Sequence, residues 1–245
     1  MNNALLEING LETGYNGSTV LRNLSLRVEP GQVVCLMGRN GVGKTTLLKS
    51  IMGLLRPQRG TLSFDGSDIT KTTPDQRATA GIGYVPQGRE IFSSLTVQQN
   101  LELGTEAQKR RAKLKKTNGK SDIGVPDLVY DTFPLLGKML LRRGGDLSGG
   151  QQQQLSIGRA LATKPSLLLL DEPMEGIQPS VVAEIEHGLE MIKKKREIAV
   201  LLVEQSLTFA TRIADYYYVL DHGSVVAHGS SSEIDEEAMR KHLTV

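Results

Sequence analysis

Residues 38–45, "GRNGVGKT", have the spacing G-x-x-x-x-G-K-[ST], which is typical of a loop that binds phosphate. Glycines let successive backbone N–H groups turn toward phosphate oxygens, and the N-terminus of a following helix adds the positive end of its dipole. Lys44 can then reach the β- and γ-phosphates, while the Thr45 hydroxyl can ligate Mg²⁺. The residues predicted to surround the phosphates are Gly38, Arg39, Asn40, Gly41, Val42, Gly43, Lys44, Thr45 and Thr46.

Two acidic residues follow four leucines in "LLLLDEP", residues 167–173. Open α/β sheets place ligands at the carboxyl ends of their strands, so this strand would deliver both carboxylates beside the phosphate loop. Asp171 is then suited to hold the Mg²⁺ shell, and Glu172 to orient or deprotonate an attacking water. A strand end followed by a solvated acidic turn is the alternative, and the upstream phosphate loop disfavours it.

Short apolar runs must position these residues. "QVVCLMG", "PSLLLLDEP" and "EIAVLLVEQ" predict strands buried on both faces, each next to a helical pattern, and therefore a mostly parallel sheet in an α/β protein. The alternating segments "ALLEINGLETGY" and "GTLSFDGSDI" predict an antiparallel sheet near the N-terminus. Residues 90–165 lack strand patterns and predict an inserted helical subdomain within a single domain, residues 1–245.

Composition limits the partners. The chain has 245 residues and a net charge of +2, which argues against nucleic acid as a partner. The lone Cys35 lies in an apolar run and predicts a buried small residue. No targeting segment or membrane span is apparent, so we expect a soluble cytoplasmic protein. The seven basic residues in 109–120 predict a solvated surface, with an acidic partner or lipid headgroups as the alternative.

A third motif separates this chain from kinases, GTPases and helicases, which share the first two. "LSGGQ", residues 147–151, opens the amphipathic stretch "QQQQLSIGRALATK" and favours a γ-phosphate through its hydroxyl, glycine amides and helix dipole. With this motif between the phosphate loop and the acidic strand, the sequence resembles the ATP-binding-cassette (ABC) ATPases over essentially its whole length. The resemblance implies a P-loop fold with an N-terminal antiparallel β-subdomain and an inserted helical subdomain, and ATP and Mg²⁺ as cofactors.

The resemblance also implies partners. Two cassettes would pack head to tail, so that Ser148, Gly149, Gly150 and Gln151 contact the nucleotide held by a second ABC ATPase subunit, in a homo- or heterodimer. Transmembrane permease subunits would be driven by this pair, with a substrate-binding protein involved indirectly. The chain would then lie peripherally on the cytoplasmic face of the membrane.

Further site residues come from the same resemblance. Tyr15 in "LETGYNG" matches the aromatic residue that stacks on adenine, and Gln87 in "YVPQG" matches the glutamine that contacts Mg²⁺ or the attacking water. Gln205 occupies the switch position, where a histidine is usual, and Gln178 replaces a usual aspartate. A glutamine amide can donate to phosphate but cannot carry the charge of a protonated imidazole, so hydrolysis is expected to be slower or more dependent on assembly.

Particular segments resemble one branch of the family. "GRNGVGKTTLL" and "VEQ" are similar to ATPase subunits of branched-chain amino-acid and amide importers, and "RRGGDLSGGQQQQL" with "DEPMEGIQPS" is most similar to the urea or short-chain amide members. A branched-chain amino-acid importer is the alternative. A further alternative is a nucleotide-gated module that dimerises on ATP with little turnover, as Gln178 and Gln205 would allow, although the intact Glu172 argues against it.

Overall fold

A computed structural model describes residues 4–114 and 123–233. The strands are β1 (Leu6–Tyr15), β2 (Ser18–Val28), β3 (Val33–Met37), β4 (Arg59–Phe64), β5 (Ser67–Asp68), β6 (Ile82–Val85), β7 (Leu167–Asp171), β8 (Ala199–Val203), β9 (Tyr216–Asp221) and β10 (Ser224–Ser230). The helices are α1 (Lys44–Met52), α2 (Pro74–Ala80), α3 (Val97–Gly104), α4 (Glu106–Leu114), α5 (Asp127–Thr132), α6 (Pro134–Lys138), α7 (Gly149–Leu161), α8 (Pro179–Lys195) and α9 (Leu207–Ile213).

The three apolar runs form the centre of one mixed sheet in the order β10-β9-β3-β8-β7-β6. Its strands are parallel except for the edge strand β10, which is antiparallel to β9. Leu167 and Leu169 face one hydrophobic core, and Leu168 and Leu170 face the other. Because successive strand side chains point to opposite faces, a sheet covered on both sides requires apolar residues without alternation. The α/β prediction is confirmed.

The N-terminal segments form a second sheet in the order β2-β1-β4-β5, antiparallel throughout. Asn16 and Gly17 connect β1 to β2, and both have positive φ, 49° and 82°. Such a two-residue turn matches the twist of a hairpin. Ile8 and Leu11 of this sheet share a core with Leu47 of α1 and with one face of the mixed sheet. The predicted antiparallel subdomain is confirmed.

Between β6 and β7 the described residues form α3–α7, a short 3-10 helix (Gly144–Asp146) and one isolated β-bridge, Thr96 with Arg143. Leu101, Val129 and Leu155 from these helices join the second core, which also receives α8 and α9. The helices therefore cover the face of the mixed sheet opposite the N-terminal strands. An inserted helical region agrees with the expected fold, whereas its boundaries at 90–165 stay a prediction.

Other expectations fall on single elements. Cys35 is a free, fully buried thiol whose pKa burial raises. The basic run begins in α4, where Arg111 donates to the Thr79 and Lys164 carbonyls, and its residues 115–120 lie outside the described chain. Within the described ranges, no helix has the length and apolar character needed to cross a lipid bilayer.

Candidate nucleotide site

The phosphate loop, residues 38–43, connects β3 to α1 and requires glycine at two of its positions. Gly38 has φ 149°, and a Cβ there would lie 2.3 Å from the Leu220 carbonyl oxygen. Gly43 precedes α1 with φ 114°, and a Cβ would lie 2.6 Å from Cδ2 of Leu21. A side chain at position 38 would therefore meet the backbone of β9, and the positive φ at both positions disfavours any residue with a Cβ.

Lys44 is held at this loop by backbone carbonyl groups. It is only 5% exposed, and its Nζ donates to the carbonyl oxygens of Gly38 at 2.7 Å and Arg39 at 2.9 Å. The same Nζ lies 3.5 Å from Oε1 of Glu172. The ammonium group is thus placed between the loop and the acidic strand, where it can exchange a carbonyl for a phosphate oxygen.

The side-chain oxygens of Asp171 and Thr45, both predicted Mg²⁺ ligands, lie next to each other. Thr45 Oγ1 donates to Asp171 Oδ1 at 3.2 Å, whereas the buried Oδ2 of Asp171 has no hydrogen-bond partner. Burial raises the pKa of this carboxyl to about 6, the Thr45 hydroxyl lowers it, and the charge of Glu172 raises it. A buried carboxylate oxygen without a donor is suited to a hard cation or to its bound water.

This donor set fits Mg²⁺ better than a metal bound only by protein. Within residues 4–114 and 123–233, no group of three or more histidine, cysteine or acidic side chains could hold a metal ion. Mg²⁺ commonly uses one or two protein ligands and completes its shell with phosphate oxygens and water. Asp171, Thr45 and a bound phosphate chain would supply this kind of site.

Glu172 lies at the centre of the remaining predicted residues. Its Oε1 accepts from Nε2 of Gln205 at 2.9 Å, and its Oε2 accepts from Nε2 of Gln87 at 3.3 Å. Gln205 also donates to Oδ1 of Asn40 at 2.8 Å, which ties the switch position to the phosphate loop. The backbone of Glu172 has φ 46°, an uncommon conformation for a residue with a side chain. The structure therefore brings all three predicted catalytic residues together.

A cavity of about 410 Å³ opens between these groups. It is lined by Tyr15, Val20, Asn40, Gly41, Gly43, Lys44, Thr45, Thr46, Gln87, Glu172 and Glu175. Tyr15 is 41% exposed at its rim, so its ring is free to stack on a ligand. Sequence reasoning missed Val20 and Glu175, and only the position of Glu175 three residues after Glu172 pointed toward the site.

The LSGGQ segment lies elsewhere. Ser148 and Gln151 form a capping box at the start of α7, because Ser148 Oγ accepts from the Gln151 N–H and Gln151 Oε1 accepts from the Ser148 N–H. A Cβ on Gly150 would lie 2.5 Å from Cγ1 of Val181 in α8. In the part of the chain that the structure describes, none of residues 147–151 lines the cavity that contains Lys44. The two motifs that the sequence predicts to bind phosphate therefore lie at separate places in the described chain.

Gln205 and Gln178, the two residues that differ from the usual family pattern, have different surroundings. Gln205 contacts the site, as described, whereas Gln178 is exposed and precedes α8 as its N-cap without a side-chain hydrogen bond to the helix. Met174, between the acidic strand and Gln178, packs against the second core. Of these two residues, only Gln205 is therefore hydrogen-bonded to the site residues described above.

The profile of the family described as "ABC transporter" matches residues 21–175, which include the phosphate loop, the LSGGQ segment and the acidic strand. The chain belongs to the ABC transporter family. Members of this family hydrolyse ATP, and the expected ATPase class is confirmed. The chain is 35% identical over 231 residues to the high-affinity branched-chain amino acid transport ATP-binding protein BraG of Pseudomonas aeruginosa, with 94% of each chain covered.

Other relatives agree with this family. The chain is 33% identical to the probable branched-chain amino acid transport ATP-binding protein LivF of Archaeoglobus fulgidus, over 92% of each chain. Among solved structures, an ATP-binding cassette of an ABC transporter, MJ1267, superposes with a TM-score of 0.80 at 27% identity, covering 98% of this chain and 97% of that one. The ADP conformation of MJ1267 superposes with a TM-score of 0.76 at 28% identity, covering 97% and 94%. The ABC ATPase fold is confirmed.

Proposed function

We propose that this ABC protein is the ATP-hydrolysing subunit of an importer. The observation that carries the proposal is the placement of Glu172 between the amides of Gln87 and Gln205 and beside the Lys44 ammonium. Glu172 orients and deprotonates the attacking water, and Lys44 and Gln205 donate to the charge that develops on the γ-phosphate. Both donors are already held beside the site by hydrogen bonds, so reorganisation is limited to exchanging these bonds for bonds to phosphate oxygens.

ATP binds in the cavity with Mg²⁺. The predicted phosphate-binding residues are 38–46, of which Gly38, Arg39 and Val42 do not line the cavity, and Tyr15 at its rim stacks on the adenine ring. Thr45, Asp171 and Gln87 hold the Mg²⁺, and the unpartnered Oδ2 of Asp171 supports this assignment. When bound, the ion neutralises charge on the β- and γ-phosphates.

A second ABC ATPase subunit completes the site. Ser148, Gly149, Gly150 and Gln151 serve the nucleotide of that subunit, in a homo- or heterodimer, because they lie outside the cavity of their own chain. ATP binding then closes the dimer and hydrolysis reopens it, which converts chemistry into motion.

Transmembrane permease subunits receive that motion at an apolar groove of about 470 Å³ between α1, α2, α3 and α7. Leu54, Phe92 and Leu103 line it and are 55%, 51% and 42% exposed. Exposed apolar surface of this kind favours a protein partner. On this proposal the chain lies peripherally on the cytoplasmic face of the membrane, and a substrate-binding protein acts through the permease.

Branched-chain amino acids are the first candidate cargo, because two relatives that match over nearly their full length carry that name. Urea or a short-chain amide, the sequence-based expectation, is the second candidate and rests on the segments "RRGGDLSGGQQQQL" and "DEPMEGIQPS". None of the residues assigned above contacts the transported molecule, so cargo must be found by transport rather than by site geometry.

The test measures uptake of labelled leucine and of labelled urea by source cells that lack the gene or carry Glu172→Gln. Cells with Glu197→Gln are the control, since this exposed carboxylate precedes β8 at the opposite edge of the sheet. Loss of leucine uptake supports the first cargo, and loss of urea uptake alone supports the second. Unchanged uptake of both would contradict an importer of either kind and favour the dimerising module with low turnover.

A further inference from the structure

We propose that Glu175 is a positioning residue that turns the Gln87 amide so that its oxygen faces the Mg²⁺ of bound Mg-ATP. The proposal rests on the role of Gln87 proposed above and adds a residue that no family motif assigned. Nε2 of Gln87 donates to Oε2 of Glu175 at 2.6 Å and to Oε2 of Glu172 at 3.3 Å. The bond to Glu175 is the shorter one, as expected for a charge-assisted hydrogen bond.

The orientation of the amide follows from hydrogen-bond chemistry. Ionised carboxylates only accept hydrogen bonds, whereas an amide group has a donor end and an acceptor end. Because the carboxylates of Glu172 and Glu175 both lie at the same end of the Gln87 amide, Gln87 must present its NH₂ group to them. Its Oε1 is left for a cation or for a proton of water. A rotated amide would set an oxygen against two negative charges and offer NH₂ to the ion.

Sheet geometry keeps the two residues together. Gln87 follows β6 and Glu175 follows β7, and these neighbouring strands are parallel, with Val85 opposite Leu170. The backbone N–H of Glu175 donates to the Glu172 carbonyl oxygen at 3.1 Å, which closes a turn directly after β7. Met174 anchors this turn in the second core. The contact therefore links the carboxyl ends of the edge strand β6 and its neighbour β7.

On this proposal the carboxylates of Glu172 and Glu175 have different roles. Glu172 must exchange its amide contacts for the attacking water if it serves as the base. Glu175 lines the same cavity but has no such task, so it can keep the Gln87 amide oriented while Glu172 moves. Preorganisation of this kind lowers the cost of placing a ligand oxygen at the ion.

The experiment measures the affinity of purified protein for a non-hydrolysable ATP analogue by calorimetry, with and without Mg²⁺. The affinity gain due to Mg²⁺ is compared for wild type, Glu175→Ala, Gln87→Ala and the double variant, with Glu197→Ala as the control. We expect Glu175→Ala to reduce the gain about 3- to 10-fold, the effect of one lost hydrogen bond. Affinity without Mg²⁺ should stay equal or rise, because a negative charge leaves the cavity, and this value also shows that the variant folds.

Non-additivity decides whether Glu175 acts through Gln87. The double variant should match Gln87→Ala alone, because no amide remains to be oriented. Two results would overturn the positioning role and leave the ATPase proposal intact. One is that the losses of the Mg²⁺-dependent affinity gain in the two single variants add in the double variant. The other is that Gln87→Ala loses this gain while Glu175→Ala keeps it. An unchanged gain in Gln87→Ala would overturn the assignment of Gln87 itself, and the role of Glu175 with it.

Discussion

The side-chain amide of Gln205 joins Glu172 to the phosphate loop, since its Nε2 lies 2.9 Å from Glu172 Oε1 and 2.8 Å from Asn40 Oδ1. A histidine is usual at this position in proteins that the sequence resembles. A neutral amide can make these bonds at any pH, whereas an imidazole changes its donors as it titrates. If Gln205 acts as proposed, it would offer the γ-phosphate a donor whose protonation does not change with pH.

Replacement of Gln205 should distinguish the effect of losing a hydrogen-bond donor from the effect of making that donor pH-dependent. For Gln205→Ala we expect kcat for ATP hydrolysis to fall by about 10- to 150-fold, the loss of one hydrogen bond to a charged group. Gln205→His should recover part of the rate and lose it as pH rises through the ordinary histidine pKa of about 6.5, because the charged donor disappears. Steady-state rates between pH 5.5 and 8.5 measure this. Equal pH profiles for wild type and Gln205→His would contradict it.

Glu172→Gln should retain nucleotide binding and lose hydrolysis by a factor of about 100 or more, because a glutamine cannot accept the proton from water. The ATP-bound dimer would then accumulate and elute early in size-exclusion chromatography with Mg-ATP. As a control, Glu172→Gln combined with Lys44→Ala should elute as the monomer. Hydrolysis by Glu172→Gln at the native rate would show that another group is the base.

Tyr15→Ala should weaken nucleotide binding about 5- to 150-fold, since stacking of a base on an aromatic ring contributes about 1–3 kcal/mol. Tyr15→Phe keeps the ring and should bind normally, which separates stacking from any role of the hydroxyl. Fluorescence titration with a labelled ATP measures both affinities. Equal losses in the two variants would indicate that the hydroxyl, rather than the ring, contacts the ligand.

The raised pKa of Asp171 should make the free energy of unfolding depend on pH when the protein is free of nucleotide and Mg²⁺. Burial raises its pKa from 3.8 to about 6, so the folded protein binds this proton more tightly than the unfolded chain. The resulting stabilisation is complete below the unfolded pKa and is lost as pH rises through the folded value. Relative to Asp171→Asn, the free energy of unfolding of wild type should fall by about 1 kcal/mol between pH 5 and pH 7.5.

Denaturant unfolding at the two pH values measures this difference, and Asp68→Asn provides a control because Asp68 is exposed. A wild-type stability that rises between pH 5 and pH 7.5, relative to Asp171→Asn, would show that Asp171 is ionised and stabilised in the ligand-free protein. Saturating Mg-ATP should abolish this fall in stability between pH 5 and pH 7.5, since a bound cation compensates the charge of the buried carboxylate.

The sequence by itself determined the kinds of chemistry and the elements that carry them. Residues 38–45 require a glycine loop between a strand and a helix, and unbroken apolar runs such as 167–170 require a sheet covered on both faces. These features are local, because motif spacing and hydrophobic period are properties of neighbouring residues. The antiparallel sheet and the helical insertion were predictable for the same reason.

Only the tertiary structure decided which side chains meet. Gln87, Glu175 and Gln205 lie in three connections after β6, β7 and β8, and strand order and register bring all three to within hydrogen-bond distance of one another or of Glu172. The free Oδ2 of Asp171 and the placement of Ser148 outside its own cavity likewise depend on packing between distant elements. Such contacts follow from long-range pairing, which local spacing does not encode.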